Sequence, residues 1–307
     1  MTAAATAGGE QRRVLLVTHT GRAEAVKAGR EMLARLMQRG LAVSVLPEEA
    51  AELSSEGVGT AAGTDPAAGC ELVVVMGGDG TILRGAELVR GTQVPLLGVN
   101  LGHVGFLAES ERDDLAATVQ RIVDCDYEVE ERMTLDVTVL VDGEVVARSW
   151  ALNEASVEKA SSERMLQLVI EVDGRPLSTV GCDGVVLATP TGSTAYAFSA
   201  GGPVVWPQVE ALLLVPNAAH ALFARPLVVA PTSTLAVELL GERPGTGVLW
   251  CDGRRRFELT SGSRVEATRG AVPVRLARLV RGPFTDRLVA KFRLPVQGWR
   301  GHGPTGS

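Results

Sequence analysis

Residues 72–83 read LVVVMGGDGTIL. Five apolar residues run into two glycines, an aspartate, a third glycine and a threonine, after which an apolar pattern resumes. A continuous apolar run of this length suits a strand covered on both faces of a parallel sheet. The turn that follows, Gly77-Gly78-Asp79-Gly80-Thr81, sets five backbone amides at the carboxyl edge of that sheet. Glycine permits close approach of a ligand there, and amides that open a helix favour phosphate oxygens. Asp79 is the unusual element. An anion at a phosphate-binding turn repels its ligand unless it holds a cation or takes a proton from an attacking hydroxyl. Aspartate is also a common turn residue, so the turn by itself leaves a catalytic and a structural role open.

Outward from this stretch, VLLV (14–17) and PLLGV (95–99) are further buried-strand runs. Val26, Leu33, Leu36 and Met37 fall at helical spacing between the first two strands, with Gly40 as a stop signal. A second helix is expected after the glycine turn and a third from about Asp113 to Asp124. This is the alternation of a doubly wound α/β unit. Residues 47–69, rich in Ala, Gly, Ser and acidic side chains, are expected to form a largely mobile loop. GVGTAA (57–62) within it loosely fits a dinucleotide fingerprint, but no strand precedes it and no periodic helix follows.

Past residue 127 the texture changes. Leu135, Val137, Val139 and Val141 alternate up to Asp142-Gly143, and Leu166, Leu168, Ile170 and Val172 alternate up to Asp173-Gly174, both strong hairpin signals. Further β-like runs at 185–188, 226–230, 235–240 and 274–280 extend a mostly β second half. TDRLVAKF (285–292) reads as a helix capped by Thr285 or Asp286. The expected organisation is an α/β unit with a parallel sheet over 1–127, joined by 283–307 packing back on it, and a β-rich unit over 128–282.

Several classes of function fall away on composition. Net charge is −6, and the short basic run Arg254–Arg256 reads as a solvated hairpin face, so nucleic acid is not an expected partner. The four cysteines lie far apart with no CxxC, which indicates neither a zinc site nor a redox motif. No apolar run approaches the ~20 residues that span a bilayer, and the N-terminus lacks a signal-peptide pattern. A cytoplasmic protein with no membrane partner is the expectation. No GK[ST] occurs, which excludes a Walker-type phosphate loop. Charge on a phosphate must then be offset by metal, amides or arginine. Arg84, one turn past the glycines, is placed to contact phosphate or to lie on a solvated helix face, and the solvated face is the favoured reading. His19, His103 and His302 show no metal-ligand spacing, and Trp150, Trp206, Trp250 and Trp299 read as core or interface anchors.

Three further segments carry chemistry. LGHVGFLAE (101–109) follows the third strand and contains Phe106. ALNEASVEK (151–159) places Asn153-Glu154 after a β run. CDGVVLATPTGSTAY (182–196) puts a strand before a turn rich in hydroxyls and amides, followed by AFSAGGP. In their order and approximate spacing, GGDGT, the Asn-Glu pair and DGVVLATPTGSTAY resemble the NAD kinase family over roughly residues 70–292. GGDGT alone is shared with lipid kinases and phosphofructokinases; TPTGSTAY is what separates this chain from those.

The resemblance implies phosphoryl transfer from ATP or inorganic polyphosphate to the 2′-hydroxyl of the adenosine ribose of NAD, with a divalent cation, Mg²⁺ first. It implies that Asp79 lies near that hydroxyl, while the amides around Gly78, Gly80 and Thr81 face donor phosphates and metal. It assigns Asn153 and Glu154 to the adenosine portion, and Thr191, Ser193, Thr194, Ala195 and Tyr196 to the dinucleotide pocket. Phe106 falls beside the adenine, and Asp183 helps hold NAD, in some members across a subunit boundary. Members are usually homodimers or homotetramers that associate through the β-rich unit. The family often carries Pro-Ile-x-Pro-His before RPLVV. Here the stretch is PNAAHALFARPLVV, so His220, on the nicotinamide side, is kept without its flanking prolines. The alternatives are a lipid kinase sharing the glycine turn and a non-catalytic NAD(P) sensor. The β half shows no basic membrane-facing run for the first, and a pure binder gains nothing from an anion beside phosphates. A dehydrogenase is disfavoured because its glycine fingerprint and ribose-binding acid are absent.

Overall fold

The computed structural model describes residues 11–53, 55–101, 105–108, 110–111, 114–160, 165–221, 223–241, 247–279 and 282–296. His103, His302 and Trp299 lie outside them. The described residues fall into two compact units, one running to Glu130 and resuming at Arg275, the other spanning Glu131–Val274.

The first unit is built on a parallel sheet. Its strands are β1 (Arg13–Thr18), β2 (Ala42–Val45), β3 (Gly59–Thr60), β4 (Leu72–Met76), β5 (Leu96–Asn100), the two-residue β6 (Ser110–Glu111) and β7 (Glu128–Arg132). They run in the order β3-β2-β1-β4-β5, after which come Val274–Arg278 and then β7, with β6 beside β5. β1, β4 and β5 are buried along almost their whole length, as expected for strands covered on both faces. α1 (Ala23–Gln38) buries Met32, Leu33 and Leu36 against this sheet, each worth roughly 1.5–3 kcal/mol of removed apolar surface. It ends where Gly40 takes φ +83°, a left-handed conformation that glycine adopts without penalty.

Two expectations for this unit need correction. Residues 47–53 are ordered into a helical turn, Pro47–Glu49, and the short helix α2 (Ala50–Leu53). The reason is Glu49. Its carboxylate is fully buried, accepting the Thr18 N–H at 2.8 Å and the Arg84 guanidinium at 2.8 Å. The glycine-rich decoy at 57–62 contributes β3, an edge strand paired with β2. In addition, Val274–Arg278, a β-like run assigned to the β half, joins the first sheet and pairs in parallel with β5. A β-like composition records that a stretch suits a strand and carries no information about its partner.

The remaining helices here are α3 (Asp79–Val89), α4 (Leu115–Val123) and the C-terminal helix Phe284–Phe292. The last begins after Pro283 rather than on a side-chain cap from Thr285 or Asp286.

The second unit is a pair of six-stranded antiparallel sheets. In chain order its strands are β8 (Leu135–Val141), β9 (Glu144–Ala151), β10 (Glu154–Lys159), β11 (Leu166–Val172), β12 (Arg175–Cys182), β13 (Gly184–Ala188), β14 (Leu212–Asn217), β15 (Leu227–Val229), β16 (Leu235–Leu240), β17 (Gly247–Cys251), β18 (Arg255–Leu259) and β19 (Arg264–Arg269). One sheet runs β15-β14-β13-β10-β17-β18 and the other β12-β11-β16-β19-β8-β9. Alternate residues of both, among them Val137, Leu168, Val157, Leu187, Leu249 and Val265, share one core. The two hairpins expected from Asp-Gly are present. Asp142 and Asp173 adopt φ +52° and +53°, each followed by a glycine at positive φ, the backbone that a two-residue turn demands.

Candidate active site

In the first unit the glycine turn opens α3. Gly78 is extended at the N-cap and Asp79 is the first helical residue, where a negative charge faces the positive end of the helix dipole. Thr81 is buried and fills the space that a side chain on Gly77 would need, whereas Gly78 and Gly80 are exposed with open space around their Cβ positions. Two exposed glycines thus flank a half-buried carboxylate, while the Thr81 N–H is already donated to the Gly78 carbonyl at 2.9 Å. Asp79 Oδ1 in turn receives the Leu107 N–H at 3.4 Å, so the loop after β5 reaches the carboxylate directly.

Phe106 of that loop is half-buried in an aromatic cluster with the C-terminal helix, its ring 6.0 Å from Phe284 and 5.7 Å from Phe292. Arg287 of the same helix donates to the carbonyls of Phe106 and Ala108, both at 3.2 Å. Arg84 is not a free solvated cation. It pairs with Glu48 at 2.6 Å and Glu49 at 2.8 Å. Burial pushes the Glu49 carboxyl up from its ordinary value, and the Thr18 N–H and Arg84 oppose that push.

In the second unit, Leu152 and Asn153 form the break between β9 and β10, and the TPTGST turn packs on them. A side chain on Gly192 would overlap the Asn153 carbonyl, so only glycine fits. Asn153 and Glu154 are both buried. Glu154 accepts the Tyr196 N–H, while its Oε2 is buried without a partner among the described residues. Burial first, and the neighbouring Asp252 charge second, push its carboxyl up to about 8. Tyr196 lies along β10, its hydroxyl meeting Asn217 at 3.2 Å and Glu158 beyond it. Burial, followed by the Glu158 charge, raises its pKa. Glu154, Ser156 and Glu158, on one face of β10 by the strand period, line with Tyr196, Trp250 and Gly253 a cleft of about 330 Å³.

Not every expected residue points into this cleft. The Ser193 hydroxyl is fully buried, donating to the Pro190 carbonyl at 2.7 Å and accepting the Val205 N–H at 2.9 Å. It pins the turn. Thr194 closes the same turn on the Thr191 carbonyl at 3.3 Å, leaving Ala195 as the link into Tyr196. Asp183 and His220 stand at the other end of β10. Asp183 pairs with Lys159 at 2.6 Å, and the His220 N–H donates to Gly181 at 2.7 Å. Lys159 lies five positions along the strand from Glu154, roughly 16 Å at ~3.3 Å per residue. One chain therefore does not bring Asp183 to Asn153 and Glu154. Trp150 carries the Arg255 guanidinium 4.4 Å above its ring, so this arginine of the basic run is engaged rather than solvated.

Three positions escaped the sequence reading. Gly105 lies against Asp79, and Thr189 and Asp252 lie against the Asn153 segment. The available signal was Asp252-Gly253, a third Asp-Gly turn between strands beside those at Asp142 and Asp173; the structure shows its aspartate buried.

Comparison with known proteins agrees with this layout. Residues 14–127 match the ATP-NAD kinase N-terminal domain and residues 152–279 the ATP-NAD kinase C-terminal domain. An NAD kinase of Leifsonia xyli subsp. xyli is 63% identical over 297 residues, 95% of this chain and 97% of the relative. Among solved structures, yeast NADH kinase complexed with NADH superposes with a TM-score of 0.85 at 25% identity, covering 95% of this chain and 90% of that one. An NAD kinase from Archaeoglobus fulgidus in complex with ATP gives a TM-score of 0.66 at 26% identity, covering 92% and 99%. With both domains matched and a relative this similar over nearly its full length, the chain belongs to the NAD kinase family.

Proposed function

We propose that this protein transfers the terminal phosphoryl group of ATP to the 2′-hydroxyl of the adenosine ribose of NAD, giving NADP and ADP. The observation that carries the reading is Asp79, a half-buried carboxylate on the opening turn of α3 between two exposed glycines, in a chain of this family. In the transfer the ribose oxygen bonds to phosphorus, the bond from phosphorus to the ADP oxygen breaks, and the hydroxyl proton passes to Asp79. That proton leaves late, as the forming O–P bond acidifies the oxygen. Asn153 and Glu154 hold the adenosine, with Tyr196 closing over β10. The lipid-kinase alternative lapses with both family domains matched.

Among the described residues no group of three or more His, Cys, Asp or Glu is placed to hold a metal. Mg²⁺ commonly needs only one or two protein carboxylates when phosphate oxygens and water complete its shell. Asp79 suits that donor set, and the cation would neutralise charge on the donor oxygens. Inorganic polyphosphate is read as a second donor, since amides recognise phosphate and not a base. A homodimer or homotetramer is favoured by the separation of Asp183 from Asn153, which a second copy can bridge. Cytoplasmic placement rests on the free cysteines. No helix among the described residues is long and apolar enough to cross a membrane.

The test is a coupled assay of NADP formation from NAD with ATP and with polyphosphate, and phosphorus NMR of the product. Transfer to the 2′-position supports the reading. Absence of NADP, or phosphate on another oxygen, overturns it.

A further inference from the structure

We propose that Asp252 and Thr189 are positioning residues that clamp the Leu152–Glu154 segment from two sides and thereby set the acceptor subsite. The proposal rests on the reading of Asn153 and Glu154 as adenosine contacts. Leu152 and Asn153 sit outside the β-ladder yet are buried, and buried backbone groups without a ladder need other partners. Two residues supply all of them. Asp252 accepts the N–H groups of Leu152 at 2.9 Å, Asn153 at 2.7 Å and Glu154 at 3.3 Å. Its own N–H donates to the Glu154 carbonyl at 2.9 Å. Thr189 donates its hydroxyl to the Leu152 carbonyl at 2.6 Å and its N–H to the Asn153 carbonyl at 2.9 Å. Every backbone N–H and C=O of the three residues is thus held by one or the other.

The clamp reaches further at both ends. The Thr189 oxygen also accepts the Gly192 N–H at 3.1 Å, which ties the segment to the TPTGST turn. Arg255 donates to Asp252 Oδ2 at 2.8 Å and to the Trp150 carbonyl at 2.9 Å, supplying a counter-charge to a carboxylate whose pKa burial pushes up. A turn aspartate needs none of this. Asp142 and Asp173 form their Asp-Gly hairpins at the surface, whereas Asp252, with nearly the same φ, is 6% exposed. Its burial buys hydrogen bonds to the segment, not turn geometry.

The two residues touch no ligand in this reading, so their effect must appear as a split between substrates. Asp252→Asn keeps the volume but turns one acceptor into a donor. Thr189→Val keeps the shape and removes the hydroxyl, and Thr189→Ser restores it. The experiment measures KM for NAD and for ATP, kcat, near-UV circular dichroism, and amide hydrogen exchange of Leu152, Asn153 and Glu154, with Asn153→Ala as reference. Expected are a rise in the NAD KM of about tenfold or more for Asp252→Asn and Thr189→Val, ATP KM within about twofold, native circular dichroism, and faster exchange confined to the segment. Thr189→Ser should return to near wild type. If Asp252→Asn fails to fold, the valine and serine variants decide alone. Unchanged NAD KM and unchanged exchange in folded variants overturn the clamp, as does a parallel loss for both substrates. The reading beneath it fails separately: Asn153→Ala would then leave the NAD KM unchanged, while the exchange measurement still reports on the clamp without any substrate.

Discussion

The carboxylate of Asp79 occupies the space that a side chain on Gly105 would need: a Cβ there would stand 2.5 Å from Oδ1. The Leu107 N–H, two residues on, reaches the same oxygen at 3.4 Å. Gly105→Ala should therefore push the carboxylate aside without touching either substrate. A misplacement near 1 Å can cost about 10²-fold in rate, so kcat should fall by that order with both KM values little changed. Steady-state kinetics decide it. An unaltered kcat would mean that the loop does not set the position of Asp79.

Asp79→Asn tests the carboxylate itself. Asparagine keeps the shape and one acceptor oxygen, but it cannot take the hydroxyl proton. Turnover should drop about 10²–10⁴-fold, while NAD binding measured by calorimetry stays near wild type. Asparagine is an equally good turn residue, so a purely structural Asp79 predicts near-normal turnover. Loss of binding together with turnover would leave it only a ligand-positioning role.

Chelation tests the charge argument. Lacking a phosphate-loop lysine, and with Arg84 committed to Glu48 and Glu49, the turn has amides but no free cation of its own helix to offer the donor. Excess chelator should abolish transfer, and Mg²⁺ should restore it. Full activity in chelator would refute a cation requirement.

Glu154 predicts how stability responds to pH. Its carboxyl, raised from an ordinary 4.5 to about 8, stays protonated in the folded chain over a range in which the unfolded chain has lost that proton. Stability from this group is complete below pH ~4.5 and is lost as pH rises through about 8. The raised Asp252 carboxyl acts in the same sense. The melting temperature of the ligand-free protein should fall across that window, and Glu154→Gln should flatten the decline. Parallel profiles for variant and wild type would show that Glu154 is not held protonated.

Arg84 predicts a loss of stability rather than of donor binding. Arg84→Ala removes one partner from Glu49, which is fully buried, at a cost of about 1–3 kcal/mol. The melting temperature should drop while the ATP KM stays within about twofold. A raised ATP KM at unchanged stability would return Arg84 to the phosphates.

What could be read from the sequence was local. The strand-turn-helix around Asp79 shows itself because an apolar run, consecutive glycines and resumed helical spacing are adjacent in the chain. The hairpins at Asp142-Gly143 and Asp173-Gly174 show themselves because positive φ is a preference of those residues. Partnership was not local. Val274–Arg278 joins a sheet whose neighbouring strand begins at Leu96, and Ser193, a hydroxyl that looks available in TPTGSTAY, turns inward to Val205.

The sequence by itself determined the two textures of the chain, the carboxylate on its glycine turn and the family. Tertiary structure decided which of the hairpin aspartates Asp142, Asp173 and Asp252 is buried, that Gly105 leaves room for Asp79, and that Arg84 is already paired. The physical reason is separation along the chain. Backbone preference and periodicity are properties of neighbours, whereas burial and hydrogen-bond partnership join residues such as Leu152 and Asp252, 100 positions apart, and only the folded chain brings them together.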